Sequence, residues 1–392
     1  MEPNSRLKLE AISVTLAILL VSVPIHNDVE YALQSEARSA DTLGGNSFID
    51  APTWRVNDRW VYSGELDVYD FIADSGVSTN VNTLTGTLDV QVESINLVDV
   101  GGIQTLAYTV AGTGDYRADN IQLEGQNGDV VVEMDTTSVI RVSDMAVISQ
   151  TATIDIEFDP AFGWICWLIS CDIASITASN EYWPPLERHD FPLSVGDTWV
   201  NNYTLNTTYS GTSSYVTIPQ STSDQVETTS TVVQAGYPGV SQSGCSVSYN
   251  VTATDVNGSL VGYGWHCDSM KNDVITLNEV TLGLMARHEI DYSTLSPRPY
   301  VIDVEPMYPL APFDFTSPIW VNVSDANGAP TANQLIELRY DPTGEVQTIT
   351  TESNGSAFTT LNYGSQGDES LVDGEHGSHG IVARIVNTDH MG

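Results

Sequence analysis

Stretches in which apolar and polar residues alternate recur along most of the chain, and a period of two predicts β-strands. Examples are TLDVQVESINLV from Thr87, GDVVVEMD from Gly128, ATIDIEF from Ala152 and DVITLNEVTLGL from Asp273. Val, Ile, Thr and Tyr are abundant in these runs, and Gly, Asn and Asp separate them. The pattern predicts an all-β protein whose antiparallel sheets bury one face and expose the other.

One signature occurs twice, as APTWRVNDRWVYSG in residues 51–64 and as DFPLSVGDTWVNNY in residues 190–203. Each copy is typical of a tight turn that leads into a strand, with Trp60 or Trp199 anchoring the inner face of a sheet. The match continues downstream, where TLAYTV (105–110) aligns with SVSYNV (246–251) and IEFDP (156–160) with IDYST (290–294). We therefore predict two copies of one β domain. Structural roles are expected for four aromatic residues: Trp60, Trp199, Tyr108 and Tyr249.

The predicted segments are an N-terminal signal or anchor (1–40), a first β domain (48–160), a linker rich in Trp and Cys (161–190), a second β domain (191–297) and a third domain (300–392). Each of the first two domains is expected to be an antiparallel sandwich or half-barrel. The third has short strands between Asn-Gly and Pro-Thr-Gly turns, at the spacing of an Ig-like β-sandwich. The apolar run 161–169, with Trp164 and Trp167, fits a buried short helix, a core strand or a wedge at a membrane surface.

Two motifs carry resemblances to known families. DANGAP (325–330) followed by TESNG (351–355) resembles bacterial Ig-like adhesin repeats and carboxypeptidase regulatory-like modules, which implies a spacer domain without catalytic residues. The end of the chain soon after GIVARIV suggests that the natural protein continues past Gly392. The motif P-L-x-V-G-D-x-W of the second copy resembles the start of domains in uncharacterised exported envelope proteins of bacteria and marine archaea, some of which are half-barrels. The first copy lacks the Pro-Leu and the Gly of this motif.

The N-terminus indicates export. Arg6 and Lys8 precede an uncharged apolar run over residues 11–25. Such a run, as a helix, reaches only about 22 Å, against the roughly 30 Å of a bilayer's hydrocarbon core, so a secretory signal is favoured over a spanning helix. The small residues Ser35 and Ala37 lie far beyond the run, which leaves an uncleaved N-terminal anchor in membrane contact as the alternative. Both interpretations place the protein outside the cell or at its surface.

Cysteines and glycosylation motifs agree with export. The chain has four cysteines, and an even number in an exported protein favours disulfides, here Cys166 with Cys171 and Cys245 with Cys267. The alternative, a tetrahedral metal site, lacks a C-x-x-C motif. Six Asn-x-Ser/Thr motifs all lie after residue 200 and are candidate glycosylation sites: Asn202, Asn206, Asn250, Asn257, Asn322 and Asn354.

The charge balance excludes one class of partner. The formal net charge is -38 and the pI is about 4.1, and Lys8 and Lys271 are the only lysines. Such a surface repels the phosphate backbone, so we expect no nucleic-acid partner. The acidity suits a surface solvated in salty water, or alternatively Asp-rich loops that bind Ca²⁺.

The sequence has no G-x-S-x-G, H-E-x-x-H, Walker or dinucleotide-binding motif, so we predict that the protein is not an enzyme, and no catalytic or cofactor-binding residue is assigned. The candidate metal ligands lie in GDESLVDGEHGSHG (367–380), where carboxylates and imidazoles suit Zn²⁺ and the oxygens alone suit Ca²⁺. These candidates are Asp373, Glu375, His376 and His379. A solvated loop between two strands is the alternative.

Three hypotheses for the function follow. The first is a noncatalytic cell-surface or envelope protein with a structural or adhesive role, whose partner is an unidentified surface protein, glycan or lipid. The second is a carrier, in which half-barrel domains hold a lipid or another amphiphile. The third is the noncatalytic region of a larger secreted enzyme.

Overall fold

A computed structural model describes residues 49–392 apart from 70–71, 73–77, 162–165, 167–170, 215–216, 239–243, 246, 309–314, 342–343 and 363–379. Twelve strands form one closed antiparallel barrel, in which each strand pairs with the next and the last pairs with the first. The strands are β1 Arg59–Asp67, β2 Thr83–Val100, β3 Ile103–Leu123, β4 Gln126–Arg141, β5 Val147–Pro160, β6 Asp172–Leu186, β7 Thr198–Ser213, β8 Thr222–Gly236, β9 Ser248–Asp255, β10 Leu260–Cys267, β11 Asn272–Thr281 and β12 Leu284–Thr294.

The expected all-β class is confirmed, but the prediction of two separate sandwich or half-barrel domains is wrong. Both predicted domains contribute strands to the same barrel. The sheet is continuous where β6 pairs with β7, and it closes where β1 pairs with β12. Two separate half-barrels would each leave edge strands with unpaired backbone groups, and closure into one barrel removes those edges. Strand β6 also occupies much of segment 161–190, which was expected to be a linker.

The repeated signature forms two turns with the same hydrogen bonds. At β1 the Asp58 carboxylate accepts the Arg55 N–H at 2.8 Å, and at β7 the Asp197 carboxylate accepts the Ser194 N–H at 2.8 Å. Asn57 and Gly196 occupy the same place in the two turns, with φ of 71° and 96°. This left-handed conformation is one that Gly adopts freely and Asn tolerates. The IEFDP and IDYST segments, by contrast, lie on β5 and β12, which are not equivalent strands in the two halves.

The strand register arranges the inner face of the barrel in rows. One row crosses β2 to β7 through Leu88, Gly114, Met134, Ile154, Ile176 and Gly211. The next two rows are Val90, Gly112, Thr136, Ala152, Ala178 and Tyr209, and then Val92, Val110, Ser138, Gln150, Asn180 and Thr207. Met134 and Ile154 share one apolar cluster with Leu66 of β1 and Leu284 of β12. In the sheet, β4 and β5 are not neighbours of β1 and β12. Side chains of these two pairs of strands therefore meet inside the barrel.

Apolar clusters pack at both ends of the barrel. We call the end with the β3–β4 and β11–β12 turns the lower end, and the end with the β6–β7 and β10–β11 connections the upper end. The lower cluster is built mainly from β1 to β6 and includes Phe158. The upper cluster contains Trp54, Trp60 and Tyr108, together with Cys245 and Cys267. Apolar side chains therefore pack at both the lower and the upper end of the barrel, mainly beside its first six strands.

Residues 300–392 contribute two three-stranded sheets that share one apolar core. Their strands are β13 Tyr300–Pro306, β14 Thr316–Asp325 and β17 Ser356–Asn362 in one sheet, and β15 Leu335–Tyr340, β16 Glu345–Thr350 and β18 Ile381–Ile385 in the other. The unit docks on the upper end of the barrel, where Asp389 pairs with Arg55 at 2.6 Å. Val382 and Met391 also belong to the upper cluster of the barrel. The two parts of the molecule thus share buried apolar surface.

Some predicted features lie outside the described residues. The proposed signal or anchor (1–40) is outside them, and so are Trp164 and Trp167 of the apolar run. Among the described residues, no helix combines the length and the apolar character that a membrane crossing requires.

Candidate functional site

The middle of the barrel interior is lined by polar side chains that are not fully buried. In β4 and β5 the inward residues change from apolar at the lower end to Ser138 and Gln150 nearer the upper end, and both are half-exposed. The half-exposed inward polar set also includes Thr136, Asn180, Thr228, Thr276 and Asn278. Inward residues of a closed barrel remain accessible only where the interior is not filled by side chains. The interior thus combines an apolar side and a polar, solvated side.

Two polar contacts cross this interior. The hydroxyl of Tyr116 in β3 lies 2.6 Å from Nε2 of His288 in β12, and both residues are buried. Burial lowers the pKa of His288 to about 4, so its ring is neutral near pH 7 and Nε2 can accept a hydrogen bond from the tyrosine hydroxyl. Burial also raises the pKa of Tyr116. A second contact, between the side chains of Tyr209 and Thr281, joins β7 to β11.

A cluster of two histidines and one aspartate lies at the upper end. Asp273 Oδ1 is 3.1 Å from Nδ1 of His266 and 3.3 Å from Nε2 of His189. His266 is near the end of β10 and Asp273 near the start of β11, where they are cross-strand partners. His189 comes from the β6–β7 connection. The β10–β11 hairpin places His266 beside Asp273, and the β6–β7 connection adds His189, which is distant from both in sequence.

The surroundings hold these side chains in place. Phe191 stacks on the His189 ring at 5.6 Å and packs edge-on to the His266 ring at 5.2 Å. The Tyr62 hydroxyl donates to the Asp273 carbonyl at 3.0 Å. The Cys245–Cys267 disulfide adjoins His266 in the chain. A side chain at position 264 would place its Cβ only 2.6 Å from Asp273 Oδ2, so the glycine there makes room for the carboxylate.

The electrostatics of the cluster favour a carboxylate beside imidazole. Burial lowers the pKa of His266 more than the neighbouring Asp273 raises it. For Asp273 burial acts to raise the pKa, but His189 and then His266 more than offset it, and the net pKa is well below the usual range. An ionised carboxylate and a neutral imidazole are the protonation states in which these groups ligate metal ions.

The sequence-predicted sites have mixed outcomes. Asp373, Glu375, His376 and His379 lie outside the described residues, and their metal role stays a prediction. The cysteines pair as predicted, Cys166 with Cys171 and Cys245 with Cys267. All four aromatic residues proposed as structural, Trp60, Trp199, Tyr108 and Tyr249, are buried.

The six glycosylation motifs are placed unevenly. Four of the asparagines are exposed: Asn202, Asn206, Asn257 and Asn354. Asn322 is half-buried in β14, and Asn250 is buried in β9. A glycan needs an exposed amide nitrogen, so Asn250 is the motif least suited to carry one in the folded protein.

Sequence reasoning missed the cluster of His189, His266 and Asp273. His189 falls in the predicted linker, whereas His266 and Asp273 fall in the predicted second domain, and no spacing motif connects the three. The available signal was the alternation of strands: an antiparallel β10–β11 hairpin places its last and first residues side by side. That signal predicts that His266 lies beside Asp273, but it does not predict the position of His189.

Comparisons with known proteins assign no family to this chain. A scan with protein-family models found no match, and a comparison with curated proteins found none either. Among solved structures, the chain is similar to a beta-barrel-like protein of the domain of unknown function DUF1849 from Brucella abortus. The match has 10% identity and a TM-score of 0.31, and it covers 62% of this chain and 100% of the other.

Proposed function

We propose that this protein acts outside the cytoplasm as a noncatalytic binding protein, and that its barrel carries an amphiphile with an uncharged polar head. The observation that carries the proposal is the division of the interior into an apolar side and a half-exposed polar side. An amphiphile matches such a cavity, since its chain gains by burial and its head keeps hydrogen bonds.

The number of strands supports room for a ligand. Barrels of about eight strands are just wide enough for side chains to fill or for one small ligand, and the diameter grows with strand number. Twelve strands enclose a wider space, and several inward side chains are small, among them Thr136, Ala152 and Ala178.

The chemistry of the polar side indicates the kind of head group. Gln150, Asn180 and Thr228 offer amide and hydroxyl groups, which both donate and accept hydrogen bonds without carrying charge. The net charge of -38 disfavours an anionic head. A neutral head with hydroxyl groups, as in a monoacylglycerol or a glycolipid, fits best.

The setting of this function is an oxidising compartment. The two disulfides are typical of exported proteins, because thiols in the cytosol are kept reduced. The predicted signal segment and four exposed glycosylation motifs support a place at the cell surface. The second candidate is a structural or adhesive role in the envelope. The C-terminal sheets favour it, because they can act as a spacer.

The test is a ligand titration with a matched pair of variants. The full-length protein from its own secretory pathway is titrated with a monoacylglycerol whose acyl chain carries an environment-sensitive NBD group. Gln150→Trp fills the interior, whereas Ser149→Trp adds the same side chain on the outer face of the same strand. We expect wild type and Ser149→Trp to bind with equal affinity, and Gln150→Trp to bind at least about tenfold more weakly.

Native mass spectra of the unloaded protein complement the titration. A mass present in the native spectrum and absent from the denatured one would identify a bound molecule. Equal binding by Gln150→Trp and Ser149→Trp would place the probe outside the barrel and contradict the carrier role. No probe binding, with no extra mass, would favour the envelope role instead.

A further inference from the structure

The geometry points to a binding site for one divalent transition-metal ion at His189, His266 and Asp273, with Zn²⁺ the ion that these donors fit best. The site does not depend on the carrier function, because it lies at the upper end of the barrel, where the β10–β11 hairpin meets the β6–β7 connection. It is also distinct from the metal site predicted from sequence in residues 367–380.

The distances between the donor atoms match the edges of a coordination polyhedron. Zn–N and Zn–O bonds are about 2.0–2.2 Å, so neighbouring donors of a tetrahedral site lie about 3.3–3.5 Å apart. Asp273 Oδ1 lies 3.1 Å and 3.3 Å from its two imidazole nitrogens, and all three donor atoms lie within 4.8 Å of one another. An ion between them requires only small side-chain shifts.

The donors are held before any ion binds. Pairing between β10 and β11 fixes His266 opposite Asp273, and the Cys245–Cys267 disulfide ties that hairpin to the β8–β9 connection. The Trp60 indole N–H donates to the Met270 carbonyl at 2.7 Å and holds the turn of the hairpin. Preorganised donors lose little conformational entropy on binding, and this favours affinity.

No other group in the described part of the chain competes for these donors. Asp273 has no Lys or Arg partner there, and its two ion-pair contacts are the two histidines. Lys271 pairs with Asp268 at 2.6 Å instead. His266 Nε2 has no hydrogen-bond partner among the described residues, so no polar contact at that nitrogen opposes coordination through Nδ1.

The type of donor selects the ion. Two imidazole nitrogens and one carboxylate oxygen suit Zn²⁺ and other first-row transition ions, whereas Ca²⁺ and Mg²⁺ prefer sites made of oxygen. Thiolates do not enter the site, because Cys245 and Cys267 are joined in a disulfide. Three protein donors are one fewer than tetrahedral Zn²⁺ takes, so a water or a bound molecule supplies the fourth.

The test uses untagged full-length protein that has been stripped with a chelator. Zn²⁺ is titrated by calorimetry in excess Mg²⁺, which occupies weak carboxylate sites. His189→Ala removes one donor, and His390→Ala, which changes a histidine outside both candidate metal sites, is the matched control. We expect the affinity to fall at least about tenfold in His189→Ala and to stay at the wild-type value in the control.

A second measurement does not depend on any variant. Co²⁺ in the wild-type protein is expected to give the intense visible absorption bands of a four-coordinate site, and Zn²⁺ is expected to abolish them. Absence of these bands would overturn the inference. Zn²⁺ binding that survives in His189→Ala and disappears in a His376→Ala/His379→Ala variant would overturn it as well, and would assign the ion to the acidic segment 367–380.

Discussion

Asp341 is a buried carboxylate at the junction between the barrel and the C-terminal sheets. Burial raises its pKa to about 6, although the nearby Thr105 and Ser143 side chains and the charge of Arg141 act in the opposite direction. In the unfolded chain the pKa is near the ordinary value of about 3.9. Between these two values the folded protein holds a proton that the unfolded chain releases, so stability falls as the pH rises from about 4 to about 6.

The change Asp341→Asn tests this linkage. A shift of about two pKa units corresponds to about 3 kcal/mol, which is the stability that ionisation of Asp341 removes near pH 7. Relative to wild type, the variant is therefore expected to gain up to about 3 kcal/mol between pH 4 and pH 7. Urea unfolding at both pH values measures the difference. The control is Asp303→Asn at an exposed site of β13, and an equal gain in both variants would contradict the linkage.

At the scale of the element, the two repeated turns have equal geometry but unequal surroundings. The carboxylate of Asp58 accepts N–H groups from Arg55 and from Ser296, the latter at 2.7 Å, and it pairs with Arg298 at 2.7 Å. Asp58 is fully buried, whereas Asp197 is only half-buried. The first turn thus joins the barrel to the chain that enters the C-terminal sheets.

We expect Asp58→Ala to cost about 3–5 kcal/mol, because it leaves Arg298 and two backbone N–H groups without their acceptor. Asp197→Ala removes a local turn bond and is expected to cost about 1 kcal/mol. The free energies of unfolding from guanidinium titrations compare the two variants directly. Equal losses of unfolding free energy in the two variants would mean that the contacts of Asp58 with Ser296 and Arg298 add no stability beyond the turn itself.

The sequence predicted these elements well where local chemistry determines them. Alternating residues identified the strands, and the tight turns predicted before Trp60 and Trp199 are present, each with an Asp carboxylate that accepts a backbone N–H. Alternation could not identify β6 inside segment 161–190, because the neighbouring apolar run obscured the boundary. The cluster around Asp273 also escaped, since His189 reaches it only through the closed barrel.

At the scale of the whole molecule, the missing information was which strand edges pair. An alternating pattern buries one face in an open sheet and in a barrel alike, so the sequence fits both architectures. The difference lies in two seams: the one between β1 and β12, which are far apart in sequence, and the one between β6 and β7, where the two halves meet. Backbone hydrogen bonds form these seams, and such bonds do not require particular side chains. The sequence therefore does not show whether the sheet closes within each half or across the two halves.

Closure predicts that the two halves unfold together. Tyr108 of the first half and Tyr249 of the second are both buried, and an Ala at either place is expected to cost about 3–5 kcal/mol. In one barrel both losses lower the same cooperative transition, since neither half keeps its sheet without the seams of the other. Differential scanning calorimetry of Tyr108→Ala and Tyr249→Ala measures this. Two transitions, each lowered by only one of the variants, would mean that the halves fold as separate domains.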